Sequence, residues 1–400
     1  MKDCLQLALV GCGGIARAHL AGYRNLHQAG YDKFTLAALC DPDAGRLRSM
    51  AAEVEAGFGY RPALYGSVEE MLSAASVQAA DICTPHALHH QNAVPCLRQG
   101  VHVMVEKPCG ITVKASRRIL DAAAKSGALV ATAEQVRRCR GSRVIEWAIN
   151  RAKLMGQPRF FTMEVFGASQ YDRKAYAWAW RGLKLLGGGG ALIDGGAHYA
   201  DMMLHVFGPV AKVYCQMRTF ETPLLNGPAG LGKQPLDVED TWLATLHFES
   251  GLVGHWSWSR QAWGHKVTSG VYWGSKGSFQ DRQQWMHAFQ FGADLCLKDG
   301  TEIAYEELEK RYFAKLSQKQ RDQLFPFGFD DGITNECWDF VEACTRGRAP
   351  EVDGEAGLQA KSLCYAFYES SLAGKPVRPA DVASGKVNAY QKPIDAYWRI

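Results

Sequence analysis

A short apolar run, Leu5–Val10, leads directly into Gly11-Cys12-Gly13-Gly14-Ile15-Ala16 and then into a helical pattern through Arg17, His19, Leu20 and Leu26. The reading is strand, glycine turn, helix. Three more short apolar stretches, Phe34–Cys40, Ala79–Ile82 and 101–105, alternate with helix-spaced segments, and a further one follows at 129–133. Repeated alternation of this kind predicts a parallel sheet with helices on both faces, a doubly wound α/β domain. Farther along, 160–166, 212–219, Thr241–Phe248 and 252–259 are rich in β-branched and aromatic residues and predict strands, with Ser250-Gly251 turning the chain between the last two. The stretches 336–345 and 358–372 carry helical periodicity.

Composition narrows the class without naming an activity. The 400 residues are 47% apolar and 22% charged, which excludes a disordered or low-complexity chain, and the length suits two domains. The net charge of +4 is spread out, with no basic run to grip a phosphate backbone, so no nucleic acid partner is expected. No apolar stretch reaches the roughly 18 residues of a membrane span, and the first residues do not read as a secretion signal. The twelve cysteines sit singly, several inside apolar runs, and read as buried free thiols of a cytoplasmic protein.

The glycine turn has a chemical use. A dinucleotide needs glycine at the tight turn, a second glycine where backbone approaches the diphosphate, and a small residue where helix meets strand; Gly11, Gly13 and Ala16 fill those places, with Gly14 and Ile15 between. The amides at the helix start would hold the diphosphate. Asp41, at the end of the second strand, is placed to accept hydrogen bonds from the adenosine ribose hydroxyls and to repel a 2′-phosphate, which favours NAD over NADP; a turn or cap role before Pro42 is the alternative. Ligands in such sheets lie beyond the carboxyl ends of the strands, where this chain reads Cys83-Thr84-Pro85-His86 and Glu106-Lys107-Pro108.

With those residues in hand, the chain resembles the Gfo/Idh/MocA family, the glucose–fructose oxidoreductase and inositol dehydrogenase group. The glycine turn, Glu106-Lys107-Pro108 and Asp194-Gly195-Gly196-Ala197-His198-Tyr199-Ala200-Asp201 occur in the family's order, with weaker echoes at Thr84-Pro85 with His89, Trp180-Arg181, Glu239-Asp240 and Tyr368-Glu369-Ser370. The resemblance implies a Rossmann domain over 1–133 and, over 134–400, a substrate-binding and oligomerising α/β domain with a large, mostly antiparallel open sheet, its C-terminal helices able to pack back on the first domain. It also implies a homodimer or homotetramer, and no metal.

Hydride removal from a secondary alcohol needs a group to take the hydroxyl proton and another to steady the oxygen. His198, with its near-neutral titration, suits the first, and the resemblance places Lys107 at the second. Asp194, four residues before His198, would orient the imidazole or bind a substrate hydroxyl. Thr84, Pro85, His86, His89 and Glu106 join the cofactor set, and His86-x-x-His89 lacks a nearby acid or thiol at metal-ligand spacing. The aromatic and charged stretch 171–181, with Trp178, Trp180 and Arg181, suits either a polyhydroxylated ring or a subunit contact. The Gly- and Pro-rich segment 221–237 reads as an inserted loop able to cover the site. The expected activity is an NAD-dependent dehydrogenase of a ring secondary alcohol on a sugar, sugar derivative or cyclitol. An alicyclic dihydrodiol dehydrogenase, an oxidation–elimination cleavage of a glycoside, and a non-catalytic NAD-binding regulator are the other readings.

Overall fold

The computed structural model describes residues 4–168, 179–226, 232–282 and 286–400. The chain divides into two compact units, one of residues 1–135 and 320–358, the other of 136–319 and 359–400.

In the first unit, strands β1 (Leu5–Val10), β2 (Phe34–Cys40), β3 (Ala63–Tyr65), β4 (Ala79–Ile82), β5 (His102–Glu106) and β6 (Val130–Ala133) form one parallel sheet in the order β3-β2-β1-β4-β5-β6. Helices α1 (Gly14–Gln28), α2 (Ala44–Phe58), α3 (Val68–Ala74), α4 (His89–Arg98) and α5 (Val113–Ser126) make the crossovers. The unbroken apolar run of β1 follows from burial on both faces. Leu7 and Leu9 pack with Leu20, Tyr23 and Leu26 of α1, while Ala8 and Val10 pack on the other side with Ala93, Cys96 and Leu97 of α4. Each large apolar side chain buried in this way contributes about 1.5–3 kcal/mol. Strand order reverses between β1 and β4, so the segments following those two strands meet at the switch point.

Residues 332–346 form a helix, Gly332–Arg346, that packs on α1 as part of the same unit. Gly22 permits the approach, since a Cβ there would lie 3.2 Å from the Cys337 sulfur and 3.3 Å from Thr334 Cα.

The second unit is built on an eight-stranded sheet. Its strands are β7 (Pro158–Phe166), β8 (Val210–Arg218), β11 (Thr241–Phe248), β12 (Val253–Ser259), β13 (Val267–Gly274), β14 (Gly277–Asp281), β15 (Ala293–Leu297) and β16 (Glu302–Ile303). They run β16-β15-β14-β13-β7-β12-β11-β8, and only the β7–β12 pair is parallel. β9 (Leu224–Asn226) and β10 (Lys233–Pro235) pair separately, within the inserted stretch of 221–237. Alternation along the strands gives the sheet two unlike faces. Phe161, Met163, Trp242, Trp256 and Tyr272 are buried, and the helix Gly196–Phe207 lies on them, with Tyr199 4.4 Å from the Trp256 ring and Phe207 6.2 Å from Phe161. By register, Phe160, Val253, Leu243, Tyr214 and Val267 share the other face and are exposed.

Candidate functional site

The glycine turn is shaped by crowding on one side and open space on the other. Gly11 has φ +90°, and a Cβ there would stand 2.8 Å from the carbonyl oxygen of Cys83, so backbone geometry and the neighbouring loop both require glycine. At Gly13 and Gly14 an added Cβ would meet nothing within 4 Å. Gly13 caps α1 with no side-chain bond, leaving the first amides of a 15-residue helix without a capping group. Backbone donors beside unobstructed space are what a dinucleotide diphosphate fits. Asp41 is buried beside them, its Oδ2 accepting from Cys12 N and its Oδ1 from Asp43 N, both at 2.8 Å. Asp43, not Asp41, caps α2, accepting from Gly45 N and Arg46 N. The Cys12 thiol is pushed up to about 12 by burial and by Asp41, which makes it a packing group rather than a nucleophile.

Thr84, Pro85, His86 and His89 follow β4, and Glu106, Lys107 and a cis Pro108 end β5. His89 ties the two segments together. Its Nδ1 lies 3.0 Å from the Pro108 carbonyl oxygen and its Nε2 2.7 Å from that of Thr84. Burial, and then His86, push this imidazole down to about 3, so the ring is neutral, donates its single N–H to one of the two carbonyls and packs its other nitrogen against the second. Lys107 is half-buried at the turn.

Glu106 faces inward, toward a residue with no assigned part in the sequence-based site. His19 of α1 is fully buried, with Nδ1 2.8 Å from Asp81 Oδ2 and Nε2 3.1 Å from Glu106 Oε1; Glu336 Oε1 stands 3.5 Å from the same Nε2. Tyr23 donates its hydroxyl to Asp81 Oδ2 at 3.0 Å. Burial disfavours the charged ring, but the Asp81 carboxylate and then the adjacent Cys83 more than reverse this, and the His19 pKa stands well above its ordinary value. His19, Asp81 and Cys83 donor atoms lie within 4.8 Å of one another, a cluster that could cage a metal, yet both ring nitrogens already face carboxylates. The signal available in sequence was Asp81 itself, an acid inside the otherwise apolar strand Ala79–Ile82, which must find a partner.

In the second unit, Asp194 ends a short helix, Ala191–Asp194, and His198 lies in the next, Gly196–Phe207, with Gly195 in helical conformation between them. Asp194 does not cap a helix; its Oδ2 accepts from Arg181 Nε at 2.9 Å, and the guanidinium sits 4.3 Å above the Trp180 ring. The buried His198 ring meets His287 edge-on at 4.7 Å. Asp201 pairs with both Arg137 Nε, at 2.8 Å, and Nη2. The glycine run 187–190 is needed for close approach, since a Cβ at Gly190 would be 2.9 Å from Glu239 Oε2 and one at Gly189 would collide with the Tyr368 hydroxyl. Glu239, fully buried, accepts from Gly190 N at 3.0 Å and Leu192 N at 2.9 Å, so it caps from a distance the helix that ends in Asp194. Burial raises its pKa.

Gly11, Gly13, Gly14, Ile15, Ala16 and Asp41 thus form one assembly, Thr84 to Lys107 a second in the same unit, and Trp180, Arg181, Asp194 and His198 belong to the other unit. Trp178, with the rest of 171–177, lies outside the described residues.

A doubly wound sheet with a glycine turn at its switch point and a carboxylate after β2 defines a dinucleotide-binding protein. Residues 5–134 match the model of an oxidoreductase family with an NAD-binding Rossmann fold, and residues 148–280 match the GFO/IDH/MocA C-terminal domain. The chain belongs to the GFO/IDH/MocA family of oxidoreductases, and NAD is the cofactor of its Rossmann domain. It is 24% identical over 392 residues to the levoglucosan dehydrogenase of Pseudarthrobacter phenanthrenivorans, covering 92% of this chain and 96% of that protein. It is 28% identical over 187 residues to the 1,5-anhydro-D-fructose reductase of Ensifer adhaerens, 47% of this chain and 52% of that protein. A solved levoglucosan dehydrogenase in complex with NADH and levoglucosan shares the fold at a TM-score of 0.74 and 20% identity, covering 94% of this chain and 98% of that one. No helix among the described residues is long and apolar enough to cross a membrane.

Proposed function

We propose that the chain is an NAD-dependent dehydrogenase that oxidises a ring secondary alcohol of a sugar, sugar derivative or cyclitol to a ketone, or runs the reverse reduction. The observation that carries this reading is the stretch around Arg181, Asp194 and His198. A partly exposed guanidinium, backed by the buried Trp180 indole and bonded to a carboxylate, offers hydrogen-bonding groups for hydroxyls, the carboxylate lying one helical turn before a histidine. The nearly full-length likeness to a levoglucosan dehydrogenase supports a substrate of the sugar class.

In this reading the first amides of α1 hold the diphosphate and Asp41, through its remaining lone pairs, the adenosine ribose, in keeping with NAD over NADP. Bound NAD⁺ supplies the acceptor for the hydride. Lys107 hydrogen-bonds the reacting oxygen and steadies the charge that builds there, His198 takes the hydroxyl proton, and Asp194 with Arg181 holds a neighbouring hydroxyl. Thr84, Pro85 and His86 line the nicotinamide, with His89 as their brace. The exposed apolar residues of the open sheet face support a homodimer or homotetramer, which light scattering would measure.

The test incubates the purified protein with NAD⁺ and levoglucosan, D-glucose, methyl glucosides, myo-inositol and a cyclohexadiene dihydrodiol, following reduced nicotinamide. Net NADH from one of the sugars or the inositol is the expected result; product without net NADH points instead to oxidation followed by elimination. Lys107→Met and His198→Ala are each expected to retain NAD binding and lose about 100- to 10,000-fold in turnover. Unchanged rates would remove those two assignments.

A further inference from the structure

Among the described residues, a buried set of ionisable groups surrounds His19, which has no part in the assignments above. Asp81, Glu106 and Glu336 present carboxyl oxygens within 3.5 Å of one imidazole, and all four side chains are buried. They come from four elements of the first unit: α1, β4, β5 and the helix Gly332–Arg346. Such a cluster is costly unless an opposite charge and well-made hydrogen bonds hold it, and His19 is the cation at its centre. Glu106 is also the residue bonded to Lys107 through the chain. Its side chain points into the cluster, while the next residue starts the turn that His89 braces through the Pro108 carbonyl.

We propose that His19 is a positioning residue for the reaction, an internal cation that pins Glu106 and thereby sets where the Lys107 amine stands. The inference rests on Lys107 being the group that meets the reacting oxygen. Without His19, three carboxyl groups face one another in a dry interior, and one of them, Glu106, lies at the end of β5, next to the catalytic turn. The neutral tie from His89 holds the far side of that turn and cannot balance charge on the near side. Tyr23 fixes Asp81 but carries no charge of its own at neutral pH, its hydroxyl being held protonated by burial and by Asp81.

Pulse labelling of lysines with acetic anhydride in the NAD⁺-saturated full chain, read by mass spectrometry, reports the surroundings of Lys107 without a known substrate. Exposed Lys125 on α5 serves as the internal reference. His19→Gln is expected to change the Lys107 labelling rate by about fivefold or more while Lys125 stays constant, because moving a neighbouring carboxylate shifts an amine's proton affinity. Adding Glu106→Gln to His19→Gln is expected to give the labelling rate of Glu106→Gln alone, because His19 acts on Lys107 only through the Glu106 carboxylate. Where His19→Gln does not fold, Glu106→Gln alone is read by the same criterion. Turnover on the fastest alcohol of the panel is expected to fall about 100-fold in kcat with little change in KM, as for a group misplaced by about an ångström. Unmoved labelling at Lys107, or equal changes at Lys107 and Lys125, overturns the proposal. Lys107→Met separates the two levels: if it keeps full turnover, the role of Lys107 itself fails, whereas an inactive Lys107→Met with an unaffected folded His19→Gln refutes the positioning role alone.

Discussion

His19 and His89 are both fully buried in the first unit and both adjoin the turn that carries Lys107, yet their surroundings give them different charge states. His19 sits among carboxylates and is held charged. His89 sits between two peptide carbonyls and is held neutral. Burial is the same for both and disfavours the cation in both. The partner decides: a full negative charge at 2.8 Å outweighs the loss of water, and a carbonyl dipole at 2.7 Å does not. A buried histidine is therefore neither a metal ligand nor a base by default; what it faces determines its work.

The largest effect is expected from removing an acid on the charged side. Asp81→Ala deprives His19 of its nearest counter-charge and leaves the Tyr23 hydroxyl without its acceptor, and should cost about 3–5 kcal/mol in urea unfolding. A loss under 1 kcal/mol would mean that His19 is neutral and the contrast false. The second effect lies in pH. Between pH 6.5 and about 3 the folded chain binds fewer protons at His89 than the unfolded chain, so stability present above 6.5 is lost as pH falls through that window. His19 has the reverse sign, its contribution being complete below 6.5 and lost as pH rises through its raised value. Urea midpoints across pH should show an acid limb of a few kcal/mol that His89→Gln flattens, and an alkaline limb that His19→Gln flattens. The smallest effect belongs to an uncharged support just beyond the same turn. Thr112 caps α5 by accepting from Ala115 N at 3.2 Å, and Thr112→Ala should cost about 1 kcal/mol at every pH.

Much of the first unit was legible because its demands are local. Leu5–Val10, Phe34–Cys40 and Ala79–Ile82 occur as read, and the glycine turn declares itself because left-handed and crowded backbone tolerates no other residue. In the second unit, Thr241–Phe248 was equally plain, and the helix expected over 358–372 extends as Gly354–Ala373. What sequence did not disclose depends on long-range contact. His19 lies 62 residues from Asp81 and 87 from Glu106, and nothing in helical periodicity separates a buried cation from a core histidine. Glu239 was visible only as an echo of a family pattern; its work as a distant cap for the helix ending in Asp194 needs the fold to bring residues 47 and 49 apart into contact. In the run 187–190, Gly189 and Gly190 are required by Tyr368 and Glu239, residues far away along the chain.

The first unit takes back residues 320–358 after the chain has built most of the second. On the ribosome this imposes an order. When residue 135 is added, the α1 surface that will receive the helix Gly332–Arg346 has no cover, and Glu336 and Cys337 are still more than two hundred residues from being synthesised. At bacterial or eukaryotic elongation rates the gap is tens of seconds. During that interval the nascent sheet carries an exposed apolar seam, so chaperone occupancy is expected to persist until the helix arrives to close it.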